Sequence, residues 1–99
     1  MTYREHPVTD YTTALGTNGQ LIDVREPDEV AEGTLPGAVN IPLGDLPDRV
    51  SEIEKNRPVV LLCRSGGRSG QASQFLTDSG YSDVTNLTGG MLAWADTNQ

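Results

Sequence analysis

Val59-Val60-Leu61-Leu62-Cys63-Arg64-Ser65-Gly66-Gly67-Arg68-Ser69 runs from four apolar residues into the chain's only cysteine, then through a Gly-Gly pair set between two arginines. A short apolar run closed by a turn is the pattern of a strand buried on both faces of a parallel sheet. Gln71 to Leu76 reads as a helix, so the turn opens that helix. In open α/β folds such a turn lies at the carboxyl edge of the sheet, where ligands bind. Consecutive backbone N–H groups there can wrap around an anion, and the helix N-terminus adds partial positive charge. Arg64 and Arg68 bring two of the chain's seven basic residues to this one turn. Beside cations or a helix N-terminus, a thiol pKa falls from about 8.5 to roughly 3.5–7.5. The stretch therefore describes a thiolate at the floor of an anion cup. The competing reading is a cysteine merely buried at the end of a core strand. Two flanking arginines and a glycine pair, which lets backbone approach a ligand closely, weigh against it.

The flanking sequence alternates strand and helix patterns about five times. Tyr3 to Pro7 reads as a short edge strand, with Pro7 blocking further ladder bonds. Thr9-Asp10 offers N-cap chemistry for a helix through about Leu15, and Gly16 to Gly19 is a loop. Gln20 to Val24 reads as a second buried strand. Glu26-Pro27-Asp28-Glu29 then places proline and acids in a first helical turn, and Gly33 and Pro36-Gly37 keep that helix short. Ala38 to Ile41 is a brief strand closed by Pro42. Gly44-Asp45 could cap a helix with Leu46, Val50 and Ile53 on one face. After the thiol turn, Ala72, Phe75 and Leu76 share a face and Gly80 fits a C′ position. Val84 to Leu87 is a strand, Gly89-Gly90 a tight turn, and Met91 to Asp96 a last helix whose Leu92 and Trp94 should pack on the sheet. This alternation predicts an α/β fold: a parallel sheet of about five strands with helices on both faces.

At 99 residues the chain is expected to form one domain, residues 1–99. The net charge of −7 argues against nucleic acid and anionic membranes as partners, and makes the two clustered arginines a local exception. A lone cysteine excludes an internal disulfide and any multi-cysteine metal site. No apolar stretch is long enough to span a membrane, and Met1 to Pro7 lacks the apolar run of a signal peptide. A reducing cytoplasm is the expected setting, with the chain a monomer or weak dimer.

Three segments in order resemble the signatures of a single-domain rhodanese, from about Leu21 to Trp94. Leu21 to Glu26 followed by Gly33-Thr34-Leu35-Pro36-Gly37-Ala38-Val39-Asn40-Ile41-Pro42 is similar to the amino-terminal signature. Cys63 to Ser69 is similar to the active-site loop, and Gly89-Gly90-Met91-Leu92-Ala93-Trp94 to the carboxyl-terminal signature. Thr34 stands where such domains often carry histidine, in a segment that serves mainly as a fold signature. The one histidine, His6, reads as a surface residue.

The resemblance implies a three-layer rhodanese-like fold and sulfurtransferase activity without a cofactor or metal. Cys63 would attack the outer sulfur of a small anionic donor such as thiosulfate, form a persulfide, and pass the sulfur to cyanide or a protein thiol. Arg64, Ser65, Gly66, Gly67, Arg68 and Ser69 would bind the donor, with the Arg68 guanidinium and the loop amides stabilising the leaving sulfite. Ser65 and Ser69 could bind sulfur or cap the helix. Asp23 and Arg25 suit a structural ion pair near the same edge. Two other readings stay open. One is a persulfide carrier or redox-sensing module that does not turn over. The other is a cysteine-dependent phosphatase, which the spacing disfavours because four residues, not five, separate Cys63 from Arg68.

Overall fold

The computed structural model describes residues 2–97. Among these, five strands form one parallel sheet: β1 (Arg4–Pro7), β2 (Gln20–Asp23), β3 (Val39–Asn40), β4 (Val59–Leu62) and β5 (Val84–Thr88), in the order β1-β5-β4-β2-β3. The apolar run predicted as the buried strand is β4, at the centre, and all four of its residues are buried. Successive side chains of a strand point to opposite faces. Val59, Leu61 and Cys63 therefore face one core, while Val60 and Leu62 face the other.

The two cores are built differently. On the Cys63 face, the sheet packs against Leu46 of α3 (Leu46–Arg49) and Ala72 and Leu76 of α4 (Gly67–Asp78), joined by Ile53 and Tyr81. On the opposite face lie Tyr11, Ala14 and Leu15 of α1 (Tyr11–Leu15) and Met91, Ala93 and Trp94 of α5 (Gly90–Thr97). Tyr11 and Trp94 meet edge to face, with ring centroids 5.4 Å apart. Helices cover both faces, as the alternation predicts. A fifth, short helix, α2 (Pro27–Ala31), follows β2 at the carboxyl edge.

Several local expectations need correction. The helix expected from Gly44-Asp45 through Ile53 is a single α-turn, α3, between two short 3₁₀ segments. The chain leaves α geometry at Arg49 (φ −115°), which still lets Leu46 and Ile53 both reach the core. Asp10 precedes α1, but its carboxylate accepts from the Thr13 hydroxyl at 2.8 Å and meets His6 rather than capping the backbone. Leu92, expected on the sheet, is 48% exposed; Trp94 packs as expected. The α4 helix starts four residues earlier than its apolar pattern suggested, at Gly67, immediately after the glycine turn.

Candidate active site

The β4 strand ends at Leu62, and the chain enters α4 after only four residues, so Cys63 to Gly66 must reverse direction tightly. Gly66 makes this possible. It sits at φ +107° as the N-cap of α4, a conformation costly for any residue with a Cβ. Its N–H donates to Cys63 Sγ at 3.0 Å. One turn into α4, the Ser69 hydroxyl reaches the same sulfur at 3.2 Å. The first N–H groups of a helix lack intrahelical partners, and here they open toward the sulfur. Cys63 is the buried floor of this loop, with 1% of its surface exposed, so the openly accessible thiol expected from sequence is instead a recessed one.

Burial pushes the Cys63 thiol up, but hydrogen bonds outweigh it. The Ser69 hydroxyl, then the backbone N–H groups of Ser69, Gly66 and Ser65, bring it below its ordinary value. The source of this acidity differs from the sequence expectation. Both outer nitrogens of Arg68 are held by Glu29 of α2, at 2.7 and 2.9 Å, in a two-pronged ion pair. The arginine that was to aim at the donor is thus bound to a carboxylate. Arg64 is exposed at the rim, and among the described residues its guanidinium has no ion-pair partner. Ser65 and Gly67 are also exposed. Beside the loop, a groove of about 250 Å³ is lined by Arg25, Glu29, Glu32, Arg64, Met91 and Leu92, which accounts for the exposed position of Leu92.

The Glu29–Arg68 pair makes a prediction with a definite sign. Arg68, followed by the Glu26 backbone, holds the Glu29 carboxyl down at about 2, against an ordinary 4.5. A carboxylate depressed in the folded state stabilises above its unfolded pKa, and that contribution is lost as pH falls through the folded value. The pair is about one-third exposed, so solvent screening limits it to about 1 kcal/mol. Glu29→Gln should therefore lower stability by that amount at neutral pH. In urea titrations the gap to the parent protein should close between about pH 5 and pH 2; a gap that stays constant would show that the charge plays no part.

Two further supports hold the site from behind, the first being the Asp23–Arg25 pair expected from sequence. Asp23 is fully buried and accepts from Arg25 Nε at 3.0 Å, from an outer Arg25 nitrogen at 2.8 Å, and from the Thr34 hydroxyl at 2.7 Å. Arg25 also donates to the carbonyls of Glu29, in the middle of α2, and Gly33, just past its end, tying the end of β2 to the α2 segment. The ion pair is structural, and Thr34 belongs to it. The second support is Gly90. The N–H groups of Met91 and Leu92 donate to the carbonyls of Cys63 and Arg64, both at 3.0 Å, so α5 begins on the loop itself. A Cβ at Gly90 would lie 2.4 Å from the Arg64 oxygen and 2.5 Å from that of Cys63. Gly90→Ala should cost about 2–3 kcal/mol, from overpacking against rigid backbone together with its φ of +56°. A denaturation midpoint matching the parent's would mean that α5 does not rest on the loop.

The arrangement can hold a negatively charged sulfur against oriented donors and present the same donors to an incoming anion. Among the described residues, no helix is long and apolar enough to cross a membrane. Comparison with known proteins points one way. The sequence profile of the rhodanese-like domain matches residues 8–97. A sulfurtransferase of Allochromatium vinosum is 51% identical over 75 residues, covering 76% of this chain and 70% of the relative. The thiosulfate sulfurtransferase GlpE of Shewanella oneidensis is 33% identical over 79 residues, covering 80% and 78%. The crystal structure of a rhodanese-related protein from Thermoplasma volcanium superposes with a TM-score of 0.85 at 28% identity, covering 96% of this chain and 93% of that one.

Proposed function

The chain belongs to the rhodanese-like domain family, and on that premise we propose that it moves sulfane sulfur from a donor such as thiosulfate to a thiophilic acceptor through a persulfide on Cys63. The observation that carries the reading is the recessed sulfur receiving the Gly66 N–H and the Ser69 hydroxyl. In the first half-reaction the Cys63 thiolate attacks the outer sulfur of thiosulfate. A new S–S bond forms, the old one breaks, and its electron pair leaves with sulfite. In the second, cyanide or a thiolate attacks the outer sulfur of the persulfide and the Cys63 thiolate is restored. The donor-binding groups are those of the loop from Arg64 to Ser69: the N–H groups of Ser65, Gly66, Gly67, Arg68 and Ser69, with Arg64 at the rim. No general base is needed at a thiol that is already acidic, and no cofactor or metal enters the reaction. The proposed setting is a reducing cytoplasm, with the activity carried by a monomer or weak dimer.

A second reading draws support from two features. Cys63 is recessed and the Arg68 charge is paired with Glu29, which leaves less free positive charge beside the sulfur to draw in a small dianion. A domain of this kind could work chiefly as a persulfide carrier, exchanging sulfur with a partner protein's thiol. Thiosulfate:cyanide turnover, measured beside sulfur exchange with a protein persulfide, separates the two. Ping-pong kinetics with thiosulfate support the transferase. Exchange with the protein persulfide alone supports the carrier, and phosphate release from an aryl phosphate with neither sulfur activity would overturn both.

A further inference from the structure

Ser69 has one hydroxyl proton, and its oxygen lies 3.2 Å from Cys63 Sγ and 2.5 Å from Asn86 Oδ1. Both neighbours can accept it. The three residues are all buried, with Ser69 at 0%, Cys63 at 1% and Asn86 at 2% exposure, which leaves bulk water little room to act as a second donor. Nor can Asn86 turn its amide to resolve the conflict. Its Nδ2 donates to the Gly66 carbonyl and to Glu5 Oε2, both at 3.2 Å, and both groups only accept. A turned amide would set Oδ1 against two oxygens. Oδ1 is therefore fixed toward Ser69, with β5 supplying the residue and β1, through Glu5, part of the lock.

We propose that Asn86 is a positioning residue for the reactive sulfur: its fixed side-chain oxygen competes with Cys63 Sγ for the Ser69 hydroxyl, which turns to Asn86 while the thiol is protonated and to the sulfur once it is ionised. The inference rests on Cys63 being the reactive sulfur. In the protonated state the thiol donates to Ser69 Oγ and Ser69 donates to Asn86, a directed chain with every proton placed. When the thiol proton departs to solvent, the Ser69 proton swings to the sulfur and Oδ1 loses its donor. Each ionisation thus strips a buried acceptor of its partner, and an unsatisfied buried acceptor is costly. Asn86 accordingly restrains a thiol that the surrounding amides would otherwise ionise more readily. The charged groups facing the sulfur's surroundings are Arg68 of α4 with its partner Glu29 of α2, Arg64 of the loop, and Glu5 of β1 behind Asn86. Changes at 69 and 86 leave Arg68, Glu29 and Arg64 in place; Glu5 loses the Asn86 amide in both backgrounds alike, so its effect cancels in the cycle.

The test is a double-mutant cycle read by thiolate absorbance against pH, in the parent, Ser69→Ala, Asn86→Leu and the double variant. Ser69→Ala should raise the midpoint. Asn86→Leu should lower it by about half a unit to one unit, roughly three- to tenfold more thiolate below the midpoint, the range of one hydrogen bond. In the Ser69→Ala background that downward shift should vanish. The difference between the two Asn86→Leu shifts is the deciding quantity, because it cancels the amide's separate contact with Gly66. Equal shifts in both backgrounds overturn the proposal. Should Asn86→Leu fail to fold by circular dichroism, Asn86→Ala removes the same acceptor with less bulk and must lower the midpoint, with the shift vanishing when residue 69 is alanine; an equal shift in both backgrounds is again fatal. Absorbance reads the thiol directly, so these shifts in a protein that never takes up sulfur would uphold this inference while ending the transfer reading.

Discussion

Cys63→Ser is expected to abolish sulfur transfer, by at least about a thousandfold, while leaving the fold in place. The chain has one cysteine, so no second sulfur can take over. A serine hydroxyl at the same position accepts from the Gly66 N–H and donates to Ser69 Oγ, as the protonated thiol does, but it stays protonated at neutral pH and forms no persulfide. Its smaller atom should change stability by only about 1 kcal/mol, since both hydrogen bonds survive. Steady-state transfer rates and circular dichroism of the purified variant check the two halves of the expectation. Transfer at the parent rate would place the nucleophile elsewhere. An unfolded variant would make Cys63 a structural residue.

Asp23→Ala should be the most damaging single change to the fold, costing about 3–5 kcal/mol. Buried ion pairs add little net stability, but removing one partner leaves the other charged and unpaired in a medium that solvates it poorly. Arg25 would be left 6% exposed with carbonyls alone, and Thr34 would lose its acceptor. The effect should reach the active site as well. Arg25 anchors α2 through the Glu29 carbonyl, and Glu29 holds Arg68. A urea midpoint shifted far toward zero, with transfer falling even under conditions where the variant remains folded, is the expected result. A loss no larger than that of a surface substitution would show that the pair is solvated in solution.

Much of this was legible in the chain because it is local. An apolar run of four, a cysteine, two glycines and a helical pattern are all adjacent, and together they fix β4, the loop and α4. What sequence reasoning missed is what the sheet register brings together. Glu29 and Arg68 are 39 positions apart and meet only because β2 lies beside β4. Asn86 stands opposite Leu61 in the β4–β5 register, which places its amide beneath the loop, yet alone it reads as an ordinary strand residue. Arg68 follows the loop in sequence, but the direction of its guanidinium depends on a carboxylate from another element. Leu92 shows the same limit. Two positions before Trp94, it falls on the other side of α5, and the docking of α5 on the Cys63 and Arg64 carbonyls turns that side toward the groove. The hydroxyl of Thr34, in place of an imidazole, has its use only once Asp23 is buried beside it.

Mass spectrometry of the intact protein after incubation with thiosulfate, followed by peptide mapping, goes most directly to whether the recessed sulfur is the carrier. One added sulfur atom on the peptide containing Cys63, removed again by cyanide or a thiol, is the predicted result. An unmodified Cys63 after exposure to both thiosulfate and a protein persulfide would contradict it.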